Sequence, residues 1–62
     1  MKLYKLLNNL IMMDADHIIV KDNELNIIEE GSYFSVLGYA VEHNEPVEGI
    51  GCYDGILTII LK

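Results

Sequence analysis

Apolar residues along this chain follow two periods, and each change of period marks the boundary of an element. From Lys2 to Met13 they recur every three or four positions, with Leu3, Leu6, Leu7, Leu10 and Ile11 on one side and Lys2, Lys5, Asn8 and Asn9 on the other. That spacing predicts an amphipathic helix whose leucine stripe faces a core. Asp14-Ala15-Asp16 breaks the period, and the β-branched run His17-Ile18-Ile19-Val20-Lys21 follows. Asp22-Asn23 reads as a two-residue turn into a returning strand, Glu24 to Glu30. In that register Val20 opposes Leu25, Ile18 opposes Ile27, and Lys21 sits against Glu24 as an exposed ion pair.

Gly31-Ser32 ends the strand, and the Ser32 hydroxyl offers an N-cap for a second helix over Tyr33 to His43. Phe34, Leu37 and Val41, flanked by Tyr33 and Ala40, form its inward stripe, while Val36 and Tyr39 point elsewhere. Gly38 in mid-helix costs about 1 kcal/mol against alanine and so predicts a close backbone approach. The aromatic and β-branched content of this segment would also suit a strand. Asn44 and Pro46 are stop signals. Val47 to Tyr53 is the third strand, with Gly49 and Gly51 marking a bulge or a close neighbour.

Asp54-Gly55 between β-formers is the strongest local signal in the chain, because a type I′ turn needs positive φ at both central residues. As the loop of a hairpin it pairs Tyr53 with Ile56, Cys52 with Leu57 and Ile50 with Ile59. Ile50, Cys52, Leu57 and Ile59 then share an apolar core face. The other face carries Tyr53, Ile56, Thr58 and Ile60, too oily to be left in water.

The elements predict an α+β fold, αββαββ or αββαβ, with two helices packed on one face of a small antiparallel sheet. Asp22 to Ile28 also lines up with Asp54 to Ile60 at an offset of 32 residues, which makes internal duplication a candidate origin beside chance likeness of two oily segments. The 62 residues allow one domain spanning 1–62, and a core this small rarely supplies more than roughly 3–5 kcal/mol. Disulfides, a metal or a partner usually make up the difference. A single cysteine excludes an internal disulfide, and two histidines with it make a poor metal set, so self-association is expected.

Over nearly its whole length the chain resembles small uncharacterised αββαβ-type proteins carried by phages, prophages and plasmids of Gram-positive bacteria. The likeness rests on Leu6-Leu7 in the leading helix, the His17-Ile-Ile-Val strand, Glu30-Gly31 before the second helix, Val47-Glu-Gly-Ile50, and Asp54-Gly-Ile-Leu-Thr-Ile-Ile60. Some small acidic proteins of that setting inhibit host defence, anti-CRISPR proteins among them. The resemblance implies a non-enzymatic inhibitor acting on a nucleic-acid-handling enzyme such as a CRISPR effector. No functional residue carries over from it.

Charge and chemistry narrow the function classes further. Ten acids against four lysines and no arginine give a formal net charge of −6, which argues against direct nucleic-acid binding. The acids could imitate phosphates, Asp14, Asp16, Glu29, Glu30, Glu42, Glu45 and Glu48 forming a negative rim, or could simply keep an oily domain soluble. Asp14, Asp16, His17, His43 and Cys52 are the one polar constellation with catalytic or metal-binding types, but the acids stand where turn and cap residues belong. No enzyme activity, cofactor or metal is therefore expected. No apolar run reaches the 18 residues of a membrane span, and the start does not look like a secretory signal, so a cytoplasmic protein is expected. The candidate partner interface is Ile19, Ile28, Tyr53, Ile56 and Ile60 on the outer sheet face, with Tyr39 as a further anchor. It would serve a protein partner or a structural homo-oligomer.

Overall fold

The computed structural model describes residues 1–9 and 17–62. The elements are α1 (Leu3–Asn9), β1 (His17–Lys21), β2 (Ile27–Gly31), α2 (Tyr33–Glu42), β3 (Val47–Tyr53) and β4 (Ile56–Leu61). This is the expected α+β class in its αββαββ form. Residues Leu10 to Met13 of the predicted first helix lie outside the described residues, as do Asp14 and Asp16.

The strands form one sheet in the order β2-β1-β4-β3. The two hairpins are antiparallel, but the central pair β1 and β4 is parallel, so the sheet is mixed rather than antiparallel. The physical reason is the crossover. Edges β2 and β3 run parallel and lie three inter-strand spacings apart, about 14 Å, and parallel strands need a long connection. Ten residues of α2 span about 15 Å, enough to carry the chain from one edge to the other. β4 then returns inside, next to β1.

Leu3, Leu6 and Leu7 of α1, Val36 and Ala40 of α2, Ile18 and Val20 of β1, and Leu57, Ile59 and Leu61 of β4 form the buried core. Both helices thus cover the same side of the sheet. Hydrogen bonds seat α1 at each end. The Leu3 N–H donates to the Glu45 carbonyl (2.9 Å), the Tyr4 N–H to Asn44 Oδ1 (2.9 Å), and the Tyr33 hydroxyl to the Leu7 carbonyl (2.8 Å). These partners replace part of the intrahelical bonding that a helix end lacks.

The second hairpin follows the predicted register, Tyr53 with Ile56, Cys52 with Leu57 and Ile50 with Ile59. Asp54 and Gly55 sit at φ 54° and 81°, as a type I′ turn requires. A bulge between Val47 and Gly49 accounts for one of the expected glycine roles. Burial departs from the prediction. Leu57 and Ile59 are in the core, but Ile50 is 54% exposed and Cys52 is exposed. β3 is the edge strand; Val47 at its start packs against the core, but Ile50 and Cys52 lie past the helices, so sharing a face with the core does not bury them.

The first hairpin has a different turn. Asp22 and Asn26 are bonded to each other, the Leu25 N–H donates to the Asp22 carbonyl (3.0 Å), and Leu25 takes the left-handed conformation at φ 69°. This is a three-residue loop, Asn23-Glu24-Leu25, closed by Asp22 Oδ1 accepting the N–H groups of Glu24 and Asn26 (2.9 Å each). The register moves accordingly, pairing Val20 with Glu29, Ile18 with Gly31 and Lys21 with Ile27, and a bulge follows between Val20 and Lys21. The expected Val20–Leu25, Ile18–Ile27 and Lys21–Glu24 pairs do not form. The 32-residue correspondence fails here too, because its two turns differ in length and its equivalent strands, β1 and β3, are interior and edge.

In α2 the N-cap is as predicted, Ser32 Oγ accepting the Ser35 N–H (3.3 Å). The buried face is not. Val36 and Ala40 are fully buried, with Tyr33, Leu37 and Tyr39 packed around them, while Phe34 is 78% and Val41 65% exposed. The helix is rolled about one residue away from the phase that hydrophobicity alone favoured, in an orientation that lets the Tyr33 hydroxyl donate to the Leu7 carbonyl of α1. No close approach occurs at Gly38, Gly49 or Gly51, where an added Cβ would meet open space.

Candidate interaction surface

The side of the sheet away from the helices is built by alternation along all four strands. One row runs Tyr53, Ile56, His17 from β3 to β1, the next Gly51, Thr58, Ile19, Glu30, and the third Gly49, Ile60, Lys21, Ile27. The bulge leaves Ile28 unpaired between Ile27 and Glu29. Four of the predicted interface residues, Ile19, Tyr53, Ile56 and Ile60, share this outer face. Ile27, expected inside, joins them because the longer loop moved the register by an odd number of residues.

Tyr53 is 85% exposed, Ile27 54% and Ile56 39%. No helix of the described residues lies over them. Polar groups stand at the margin: His17 Nε2 and Glu30 Oε2 are 3.3 Å apart, and Lys21 lies toward the other end. The two glycines leave the β3 side of the face without side chains. The face is mainly apolar, with Thr58 in its middle row and His17, Glu30 and Lys21 as its charged or titratable groups.

Tyr39 does not belong to it. It lies on α2, on the helix side of the sheet, half-buried against the core and stacked on His43 with ring centroids 4.7 Å apart. Burial, and after it the nearby Glu45 and Glu29 carboxylates, push its phenol above the ordinary value of 10.0. Among the described residues the acids are spread over both faces of the sheet rather than along one rim. Glu29 and Glu45 each act on Tyr39, Glu42 ends α2, Glu48 sits at the β3 bulge, and Glu30 is on the opposite face beside His17. Asp14 and Asp16 lie outside the described residues.

The polar constellation is also dispersed. His17 is on the outer face, His43 caps α2 and Cys52 lies on the β3 edge, and among the described residues no three His, Cys, Asp or Glu side chains converge on a point that could hold a metal. An open groove of about 220 Å³ between α1 and α2 is lined by Tyr4, Ala40, Val41 and Asn44. Its amide oxygen, Asn44 Oδ1, is already bonded to the Tyr4 N–H. Sequence reasoning missed this groove because it placed Val41 in the core. No described helix is long and apolar enough to cross a membrane. Comparison with protein-family models, with curated proteins and with solved structures gives no match.

Proposed function

We propose that this chain is a non-enzymatic protein-binding module whose outer sheet face docks on another protein. The observation that carries the reading is the co-location of Ile19, Ile27, Tyr53, Ile56 and Ile60 on a helix-free sheet face. Contiguous apolar patches larger than a few hundred Å² are rarely left bare on a small domain and mark contact sites. The partner class we favour is a nucleic-acid-handling defence enzyme, which the module would inhibit. Two features support that choice: the net charge of −6 without arginine, and the resemblance to small mobile-element proteins.

The test is inhibition of target-DNA cleavage by a purified CRISPR effector in the presence of this protein, with Ile56→Lys as the variant. Inhibition by the parent and its loss in a folded Ile56→Lys protein support the reading. Inhibition untouched by that change removes the outer face from it, and no inhibition with any effector class removes the partner. The alternative of a structural homo-oligomer draws on a separate observation, the open edge of β3.

A further inference from the structure

We infer that the free edge of β3 pairs with β3 of a second copy of this chain, joining two four-stranded sheets into one. The two edges of the sheet are unlike. β2 is the shorter and carries Glu29 and Glu30, and short length and charge are devices by which natural sheets discourage pairing; each edge strand also has one bulge. β3 is longer and beyond Val47 bears one charge, Glu48, while Ile50, Cys52 and Tyr53 are all exposed.

The direction of its backbone groups follows from both ends. Tyr53 flanks the type I′ turn, so its carbonyl turns toward Ile56 in β4. Alternation then points the N–H and C=O of Cys52 and Ile50 away from β4. The other end agrees: the Lys62 N–H donates inward to the Pro46 carbonyl (3.0 Å), and the Val47 N–H donates outward to the Met1 carbonyl (2.8 Å). Met1 thus occupies the edge at Val47, and Ile50 and Cys52 remain open.

Antiparallel self-pairing about Gly51 sets Ile50 opposite Cys52 of the second copy, and Cys52 opposite its Ile50, so each pair exchanges both backbone hydrogen bonds. The same register lays Tyr53 across Gly49 of the second copy, where an added Cβ would meet open space. An aromatic ring over an edge glycine is a recognised stabilising cross-strand pair. The same register sets Asp54 of the second copy opposite Glu48, a like-charge pair at each end of the seam that weakens the association and makes it stronger in added salt.

Five residues of each copy pair, Gly49 to Tyr53, a small seam of the size that weak, transient contacts have, so a weak association is expected. In this register the two Cys52 Cα atoms are about 8 Å apart, too far for a disulfide. The pairing leaves both outer faces on one side, doubling that surface, but does not depend on a foreign partner binding there.

The test is sedimentation equilibrium of the full chain with dithiothreitol, from roughly 10 µM to 1 mM, where a weak association shows, with amide hydrogen exchange at each concentration. The mass should rise from 7.0 kDa toward twice that value. The Ile50 and Cys52 amides should slow about tenfold while Gly51 stays constant. Cys52→Pro removes an N–H the monomer does not use and should give a folded monomer throughout. Should that variant unfold, Ile50→Lys serves the same purpose. A wild-type monomer at the highest concentration, a dimer lost on reduction, or a dimer abolished by Ile56→Lys yet retained in Ile50→Lys would each overturn the inference.

Discussion

Leu57 and Cys52 are direct cross-strand partners on the same side of the sheet, yet Leu57 is 1% exposed and Cys52 is exposed. Truncating each to alanine separates register from burial. Leu57→Ala removes three carbons, worth about 2.4 kcal/mol at about 0.8 kcal/mol per methylene. A residual cavity of roughly 60 Å³ adds about 1.5 kcal/mol at about 24 cal/mol per Å³. The sum, about 4 kcal/mol, matches the roughly 3–5 kcal/mol that a core of this size supplies, so Leu57→Ala should show no cooperative urea transition. Ile59→Val at the neighbouring buried position should cost about 0.5–1.5 kcal/mol and give a readable shift. Cys52→Ala should stay within about 0.5 kcal/mol of the parent. Urea unfolding followed by far-ultraviolet circular dichroism at low micromolar concentration measures all three. A folded Leu57→Ala with an unchanged midpoint, or a Cys52→Ala as damaging as Leu57→Ala, would refute the placement of β3 outside the core.

The first hairpin supplies two more tests. Asp22 accepts the Asn26 N–H foremost, with further bonds from the Asn26 amide and the Glu24 N–H outweighing its desolvation, and its pKa lies below the ordinary 3.8. A depressed carboxylate contributes stability that is present above pH 3.8 and lost as pH falls through the lower folded value. Asp22→Ala should therefore flatten the acid limb of the stability profile below pH 3.8, and an Asp22 carboxyl titrating at or above 3.8 by NMR would contradict the bonding described. Leu25 holds a left-handed conformation at φ 69° while 60% exposed. Leu25→Asn should raise stability by up to about 1 kcal/mol, seen as a higher urea midpoint, since asparagine tolerates that conformation at little cost.

What the sequence determined by itself is local. The Ser32 cap and the Asp54-Gly55 turn are dictated by side-chain chemistry and backbone sterics within a few residues, and both are in place as predicted. The leucine stripe of α1 was readable because Leu3, Leu6 and Leu7 leave one possible face. The outer-face isoleucines of β4 followed from the turn, since a two-residue loop fixes the register of everything after it.

What only the tertiary structure decided is which strands lie inside and which way a helix rolls. A hairpin pattern is the same for an edge and a centre, so nothing local placed β4 beside β1 or left Ile50 uncovered. The nearest sequence signal was density: Ile56 to Leu61 is apolar on both faces, as suits an interior strand, whereas β2 and β3 carry acids and glycines. Likewise α2 has apolar residues at Tyr33, Phe34, Val36, Leu37, Tyr39, Ala40 and Val41, nearly all round, so its hydrophobic pattern could not choose a face. The packing of Val36 and Ala40 against α1 and the sheet did, with the Tyr33 hydroxyl bonded across to Leu7, 26 residues away. In the first hairpin Asp22-Asn23 looked like the two-residue turn that Asp54-Gly55 is. Without a glycine, the chain took the longer loop that Asp22 can bridge with its own carboxylate, and that choice turned Ile27 from the core to the outer face.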